Sequence, residues 1–297
     1  MVIRKTDGPL AWQSKTVLLL VVPWTVASVI LQGHWWFLQV PVVAWTTLGI
    51  SAIFGLVAWR LRAGTPAAAA TGAAICASLM FSTVRYPYES SWRHGGLLPL
   101  LTVFLLIFAA TRMGRSRKEK RGLAESRRGR GANQAAANLG MAALLASLAP
   151  ILGWDTQANP LTLGAMLAIA ALAEAAADTV SSEFGQAFGG QPRLVFTLRR
   201  VAPGTDGGVT LAGTAAGIIA AAIVAAVGSW ALGGGLLDAA FCTAGGVIGL
   251  FFDSVLGATL ERKGWLSNDA VNFLSTLSAP IASLAGVWLS AVILMHH

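Results

Sequence analysis

Charge is scarce in this sequence. Only 11% of its 297 residues are Asp, Glu, Lys or Arg, less than half the roughly 25% of an ordinary soluble domain. Against that, 55% are hydrophobic and the mean hydropathy is +0.66. The balance excludes a soluble enzyme and a disordered chain. Cysteine is nearly absent: Cys76 and Cys242 each fall in an apolar stretch, where a free thiol behaves as a small hydrophobe. A disulfide-stapled module is thereby excluded and thiolate metal chemistry is not indicated. Histidine is confined to His34, His94, His296 and His297, away from every polar region described below, which argues against zinc hydrolysis and a Ser-His-Asp triad. The strand-long alternation of a membrane barrel is missing too. What remains is an all-α integral membrane protein, a polytopic bundle whose helices satisfy their own backbone polar groups.

Charge-poor stretches of bilayer-spanning length lie at 16–32, 38–59, 66–84, 95–111, 133–153, 161–183, 208–232, 236–260 and 270–294. They predict about nine transmembrane helices, with Pro23 in the first and Gly33–His34 before the second leaving eight or ten as alternatives. With the N-terminus cytoplasmic, 19 of the 21 Lys and Arg fall in inside segments, nine of them between Arg112 and Arg130. Only Arg85 and Arg93 then lie outside, as the positive-inside rule requires. The outer loop at Asp155 holds no basic residue. The N-terminal 15 residues are too short and too charged for a cleaved signal. Ala and Gly dominate the second half, and Gly213/Gly217 and Gly245/Gly249 have small-xxx-small spacing, which predicts close helix packing within one bundle. Residues 112–297 therefore read as a core bundle with a basic cytoplasmic loop and a polar site. Residues 1–111, bulkier and richer in Trp, read as a peripheral four-helix part.

Polar residues collect in places where a membrane span should have none. The loop RMGRSRKEKRGLAESRRGRG, Arg112–Gly131, retains Glu119 and Glu125 among its nine basic residues, and Asn133 and Asn138 follow it. Such a loop marks topology and attracts anionic lipid headgroups. In EAAADTVSSEFG, Glu174, Asp178 and Ser181/Ser182 share a helix face, with Asp178 about 7–8 Å below Glu183 along the axis. Asp253 sits in apolar sequence about 12 Å below Glu261, and Asp269 and Asn272 stand one turn apart where the last span begins. Ser267 or Asn268 is placed to cap that helix, whose positive end suits an anion. Before span seven, Gly204, Gly207 and Gly208 flank Thr205 and Asp206 beside Arg193, Arg199 and Arg200, a pattern suited to a backbone anion nest. It is not a Walker A loop, since no Lys-Ser/Thr follows the glycines. All these regions open to the cytosolic side. Buried carboxylates, many cations and glycine-lined amides are the parts of a site that handles phosphates with Mg²⁺.

Four stretches, RGLAESRRGRGANQAAANLG, ADTVSSEFG, PRLVFTLRRVAPGTDGGVTLAGT and DSVLGATLERKGWLSNDAVNFLST, carry a resemblance to a known membrane family. The chain resembles transmembrane protein nineteen, or domain of unknown function ninety-two, which includes phytyl-phosphate kinase. The resemblance runs from about Arg112 to Thr276, over half the chain. Glu125 and Asn138 match the family tract before span five, with Arg130 and Gln134 loosely placed in it. Asp178, Glu183, Pro203–Gly208, Asp253, Asn268, Asp269 and Asn272 fall on motif positions.

The resemblance implies phosphoryl transfer from a nucleoside triphosphate, CTP or ATP, to a prenyl monophosphate such as phytyl phosphate, in a multi-pass protein of a prokaryotic cell membrane. Under that reading Asp178, Glu183 and Asp253 hold Mg²⁺, and Asp269 and Asn272 orient nucleotide or a second metal. Arg193, Arg199 and the Gly204–Gly208 amides take phosphates, while Lys118, Arg121 and Arg130 close over them. No nucleic-acid partner is expected. The competing expectation is a transporter or flippase for an anionic or isoprenoid substrate, with Glu174, Asp178 and Asp253 binding protons or ions. A polar path continuing to the outer face and two matching halves are not evident in the sequence.

Overall fold

A computed structural model of the chain describes residues 10–84, 95–126, 129–151 and 161–295. Arg4, Lys5, Arg85, Arg93, His94, Arg127, Arg128, Asp155, His296 and His297 lie outside the described residues.

The helices are α1 (Ala11–Gln39), α2 (Pro41–Arg60), α3 (Pro66–Ser82), α4 (Leu97–Arg112), the short α5 (Arg115–Lys120), α6 (Ala132–Ile151), α7 (Leu163–Phe188), α8 (Leu211–Ala231), α9 (Leu236–Leu256) and α10 (Asn268–Met295). A π-helical turn, Gly257–Glu261, extends α9. The extended structure among the described residues is a two-residue hairpin, β1 (Arg193–Leu194) against β2 (Gly208–Val209). The protein is thus an all-α integral membrane protein. Six of the described helices, α1, α2, α7, α8, α9 with its π turn and α10, are long and apolar enough to cross a membrane. Helices α3 and α4 are apolar but shorter, at 17 and 16 residues, and α6 carries Asn133, Gln134, Asn138 and Ser147.

Local chemistry sets the boundaries. Thr65, Thr162 and Thr210 accept hydrogen bonds from the amides three residues on, at 3.3, 3.3 and 3.0 Å, capping α3, α7 and α8. Ser267 does the same for α10 at 3.2 Å, the capping residue that the sequence suggests. The first break departs from expectation: α1 runs unbroken through Pro23, Gly33 and His34 to Gln39. The chain turns instead at Val40, extended at φ −143 before Pro41, because a proline disfavours helical geometry in the residue before it.

Helix α7 is the axis of the bundle, buried on nearly all sides from Gly164 to Ala177. Its alanines let α8 approach so closely that a Cβ on Gly213 would lie 2.6 Å from the Ser181 carbonyl and one on Gly217 2.7 Å from that of Ala177. The small-residue spacing therefore serves packing inside the bundle. Large apolar side chains such as Leu19, Trp45, Leu211 and Trp288 are exposed on outer faces, as lipid-facing positions should be. Trp12 and Trp45 on α1 and α2 face outward, but Ile75, Leu79, Leu100 and Val103 of α3 and α4 share one core with Ile169, Leu172 and Val224.

Long-range hydrogen bonds within the chain bring specific helix ends together. Gln13 at the start of α1 donates to Trp265 O at 2.8 Å and accepts from Ser267 N at 2.7 Å. Arg112 at the end of α4 reaches Leu61 O after α2 at 2.8 Å, Thr65 N before α3 meets Arg130 O at 2.9 Å, and Arg121 reaches Gln186 O near the end of α7 at 2.7 Å. The described basic residues, from Lys15 to Lys263, sit on helix ends and loops at this pole of the bundle.

Candidate functional site

Below that pole, α7 turns Glu174 and Asp178, one helical turn apart, toward α9 and α10. Glu174 is buried, 1% exposed, and its side chain fits because position 249 on α9 is glycine: a Cβ there would run into the Glu174 Cγ. Asp178 meets Asp253 of α9, and Arg130 lies close enough to Asp178 to interact with its charge. Ser275 of α10 lies beside both Glu174 and Asp253. That hydroxyl, however, donates to Asn272 O at 3.0 Å. Glu174 Oε1 and Asp253 Oδ2 are consequently buried without a hydrogen-bond partner. Leaving such an atom unsatisfied costs about 1–3 kcal/mol, more for a charged group, a cost that a cation or a proton at the cluster would relieve.

Glu183, placed with Asp178 and Asp253 by the sequence reading, belongs to a different constellation about one and a half turns beyond Asp178 along α7. It forms a buried ion pair with Lys118 of α5 and accepts from Thr111 Oγ1 at 3.2 Å. Lys118 is fully buried and donates also to Ala110 O at 3.2 Å and Thr111 O at 2.8 Å, which occupies all three of its N–H donors. It is an internal counter-charge and not a mobile cation at the surface. Arg130 bridges the two constellations: its guanidinium lies 3.9 Å from Glu183, 3.7 Å from Glu125 and 3.4 Å from Thr179 Oγ1.

A third group joins the starts of α6 and α10. Asp269, buried in the first turn of α10, accepts from Asn133, while Asn272 donates to Asn138 Oδ1 at 3.2 Å and Asn138 donates to Gln134 O at 2.8 Å. The positive end of α10 already holds the Asp269 carboxylate, and Asn268 is exposed beside it. The glycine loop is partly closed on itself: Thr205 N donates to Ala202 O at 3.2 Å and Gly208 N to Thr205 O at 3.0 Å. Gly204 and Gly207 have φ of +83 and +72, and a Cβ would strike Leu123 at the first and Ala258 at the second. The loop thereby ties the basic segment to the end of α9, with Asp206 in its turn. Arg193 and Arg199 are exposed on the hairpin, Arg193 donating to Leu198 O at 3.0 Å; Arg121 is likewise exposed, held by Gln186 O.

A cavity of about 410 Å³ lies between α2, α3, α4 and α6. Phe54, Leu100, Val103, Phe104 and Phe108 form its apolar wall, and Arg62, Arg112, Arg115, Glu125, Arg130 and Asn138 its polar rim. Arg130 is therefore common to the cavity rim and the carboxylate cluster. Sequence reasoning had Arg130, Glu125 and Asn138 but missed Arg62, Arg112 and Arg115 as a group, because they reach one rim from three separate elements. It missed the structural role of Gly249, whose spacing signals only close packing. Among the described residues no group of three or more His, Cys, Asp or Glu stands ready to hold a metal ion.

The family model described as integral membrane protein DUF92 matches residues 49–280. An uncharacterized membrane protein of Synechocystis is 36% identical over 197 residues, 64% of this chain and 73% of that one. An uncharacterized membrane protein of Methanocaldococcus jannaschii is 35% identical over 181 residues, 61% of this chain and 71% of its own. The chloroplastic protein VTE6 of Arabidopsis thaliana is 29% identical over 215 residues, 71% of this chain and 63% of its own length. No solved structure matches the chain.

Proposed function

The chain belongs to the integral membrane protein DUF92 family, and on that premise we propose that it is a membrane-embedded phosphotransferase. It moves a phosphoryl group from a nucleoside triphosphate, CTP or ATP, to a prenyl monophosphate such as phytyl phosphate. The observation that carries this reading is the cluster of buried Glu174 with half-buried Asp178 and Asp253, in which two buried oxygens are unsatisfied, joined through Arg130 to an arginine-rimmed cavity. The family resemblance, which includes phytyl-phosphate kinase, supports the acceptor class. Bacterial and archaeal relatives support a prokaryotic cell membrane as its location.

Asp178 and Asp253, with Glu174 behind them, are the residues that would hold Mg²⁺, which supplies charge neutralisation to the transferring phosphoryl group. The missing third ligand suits that ion, which is usually held by one or two carboxylates and completes its shell with water and substrate phosphate. Arg130 stands where it can draw an acceptor phosphate toward the cluster. In the transfer, an acceptor phosphate oxygen attacks the γ-phosphorus, the bond to the β-phosphate bridging oxygen breaks, and nucleoside diphosphate leaves. The attacking oxygen is already anionic, so positioning and charge neutralisation suffice and no strong base is needed. Asp269, Asn133, Asn138 and Asn272 form a fixed polar floor for the nucleotide side.

The test is transfer from CTP and ATP to phytyl and geranylgeranyl monophosphate by purified protein, with and without Mg²⁺. Transfer that depends on Mg²⁺ and is lost in Asp178→Ala and Asp253→Ala is expected. Transfer unchanged by both substitutions overturns the assignment.

A further inference from the structure

We infer that the cavity between α2, α3, α4 and α6 is the seat of a single-chain anionic lipid, its hydrocarbon against the phenylalanine wall and its headgroup on the arginine rim. That the headgroup is a phosphate rests on the function proposed above; the cavity, its single-chain capacity and its charge do not.

Shape and charge specify the occupant together. The wall is graded along α4: Phe104 meets Phe54 edge-on at 5.4 Å and stacks on Phe108 at 5.7 Å, and Arg112 lies 4.1 Å over the Phe108 ring. One face of α4 thus passes from apolar depth to cation in about two turns, the grading an amphiphile with one charged end requires. Four arginines, Arg62, Arg112, Arg115 and Arg130, face one acid, Glu125, on the rim. The volume falls within the roughly 300–1,000 Å³ of ligand sites and suits one chain; a diacyl lipid brings twice the hydrocarbon for the same headgroup.

The rim is also held rigidly. Arg130 N donates to Ala63 O at 3.1 Å while Arg130 O accepts from Thr65 N at 2.9 Å, a two-bond clasp between the α2–α3 turn and the segment entering α6. Gly129 is pressed so closely onto this turn that a Cβ would sit 2.6 Å from Gly64 N. Within the clasp Arg62 takes φ +54, a conformation that non-glycine residues adopt only where the surroundings enforce it and that gathers at ligand sites. The clasp fixes the backbone segments that carry Arg62 and Arg130, both of which line the cavity.

The full chain, purified in detergent without nucleotide, is titrated with phytyl monophosphate, phytol and dipalmitoyl phosphatidate, reading the thermal-shift midpoint against lipid concentration. Phytyl monophosphate is expected to bind at least about tenfold more tightly than the other two. Arg62→Gln and Arg112→Gln are expected to weaken it about tenfold or more, as removal of a charge-assisted hydrogen bond does. Gly72→Leu, which sends a side chain toward Phe54 into the cavity, is expected to abolish binding. Should Gly72→Leu fail to fold, the exposed Arg62→Gln decides the matter alone. Wild-type binding in both arginine variants, equal affinity for phosphatidate, or no binding by the wild type overturns the inference. Rim-dependent binding without transfer from any nucleotide leaves this inference standing and removes the kinase reading. Transfer that survives in Gly72→Leu does the reverse.

Discussion

Helix α7 contributes to two acidic centres less than three turns apart, and they are opposites. At Glu183 the charge is fully answered: Lys118 pairs with it, Thr111 donates to it and Lys118 spends its remaining donors on two carbonyls. At Glu174, Asp178 and Asp253 the charge is left open, with two oxygens unpartnered and Arg130 as the nearby cation. A closed set resists change and holds α5 and the basic loop to the bundle. An open set is poorly suited to stability and well suited to taking up a cation and a phosphate. The two acids alike in sequence thus have different work, fixed by what surrounds them.

The largest effect expected from breaking this contrast is on the closed set. Glu183→Ala leaves the Lys118 ammonium buried and unpaired, a loss of about 3–5 kcal/mol, measured as a fall in unfolding midpoint in detergent. The double replacement Lys118→Met with Glu183→Leu should recover most of it, since an apolar pair of similar volume substitutes well for a buried ion pair. Next, Asp253→Asn should lower transfer to prenyl monophosphate at least about 100-fold, or ~2.7 kcal/mol in barrier, without lowering the unfolding midpoint. A midpoint that falls as it does in Glu183→Ala would falsify the division into closed and open sets. Gly249→Ala should cost about 1–3 kcal/mol by overpacking against Glu174, and the same assay should show transfer falling with it. Smallest is Arg115→Ala, which removes a half-exposed pair with Glu119 at 3.0 Å; a change of at most about 1 kcal/mol is expected in the midpoint.

Much of this was legible beforehand. Ser267 as a cap and the packing role of Gly213/Gly217 and Gly245/Gly249 were accessible from spacing, and the rarity of acids in spans singled out Asp178 and Asp253. Other features were not. Gly33–His34 looked like a break because both residues punctuate soluble helices, yet a helix in an apolar setting keeps its backbone bonds until Pro41 removes a donor. Lys118 looked like one of many surface cations; nothing local distinguishes it from Lys120, and only the position of Glu183 across α5 buries it. The acids on motif positions, Asp178, Glu183, Asp253 and Asp269, were found as individuals, but their grouping into three separate constellations was invisible.

Composition and periodicity by themselves settled that the chain is a helical membrane protein, where its small-residue faces lie and that its basic residues gather toward one side. These are local or additive properties, readable because each span must satisfy its own backbone and apolar surface. Which acid is neutralised and which is left open depends on partners 65 to 79 residues distant, as from Lys118 to Glu183 and from Glu174 or Asp178 to Asp253. So does the closing of a cavity by arginines from three elements. Those outcomes are three-body facts of packing, decided when α7 is enclosed by its neighbours and each charge finds, or fails to find, a counterpart.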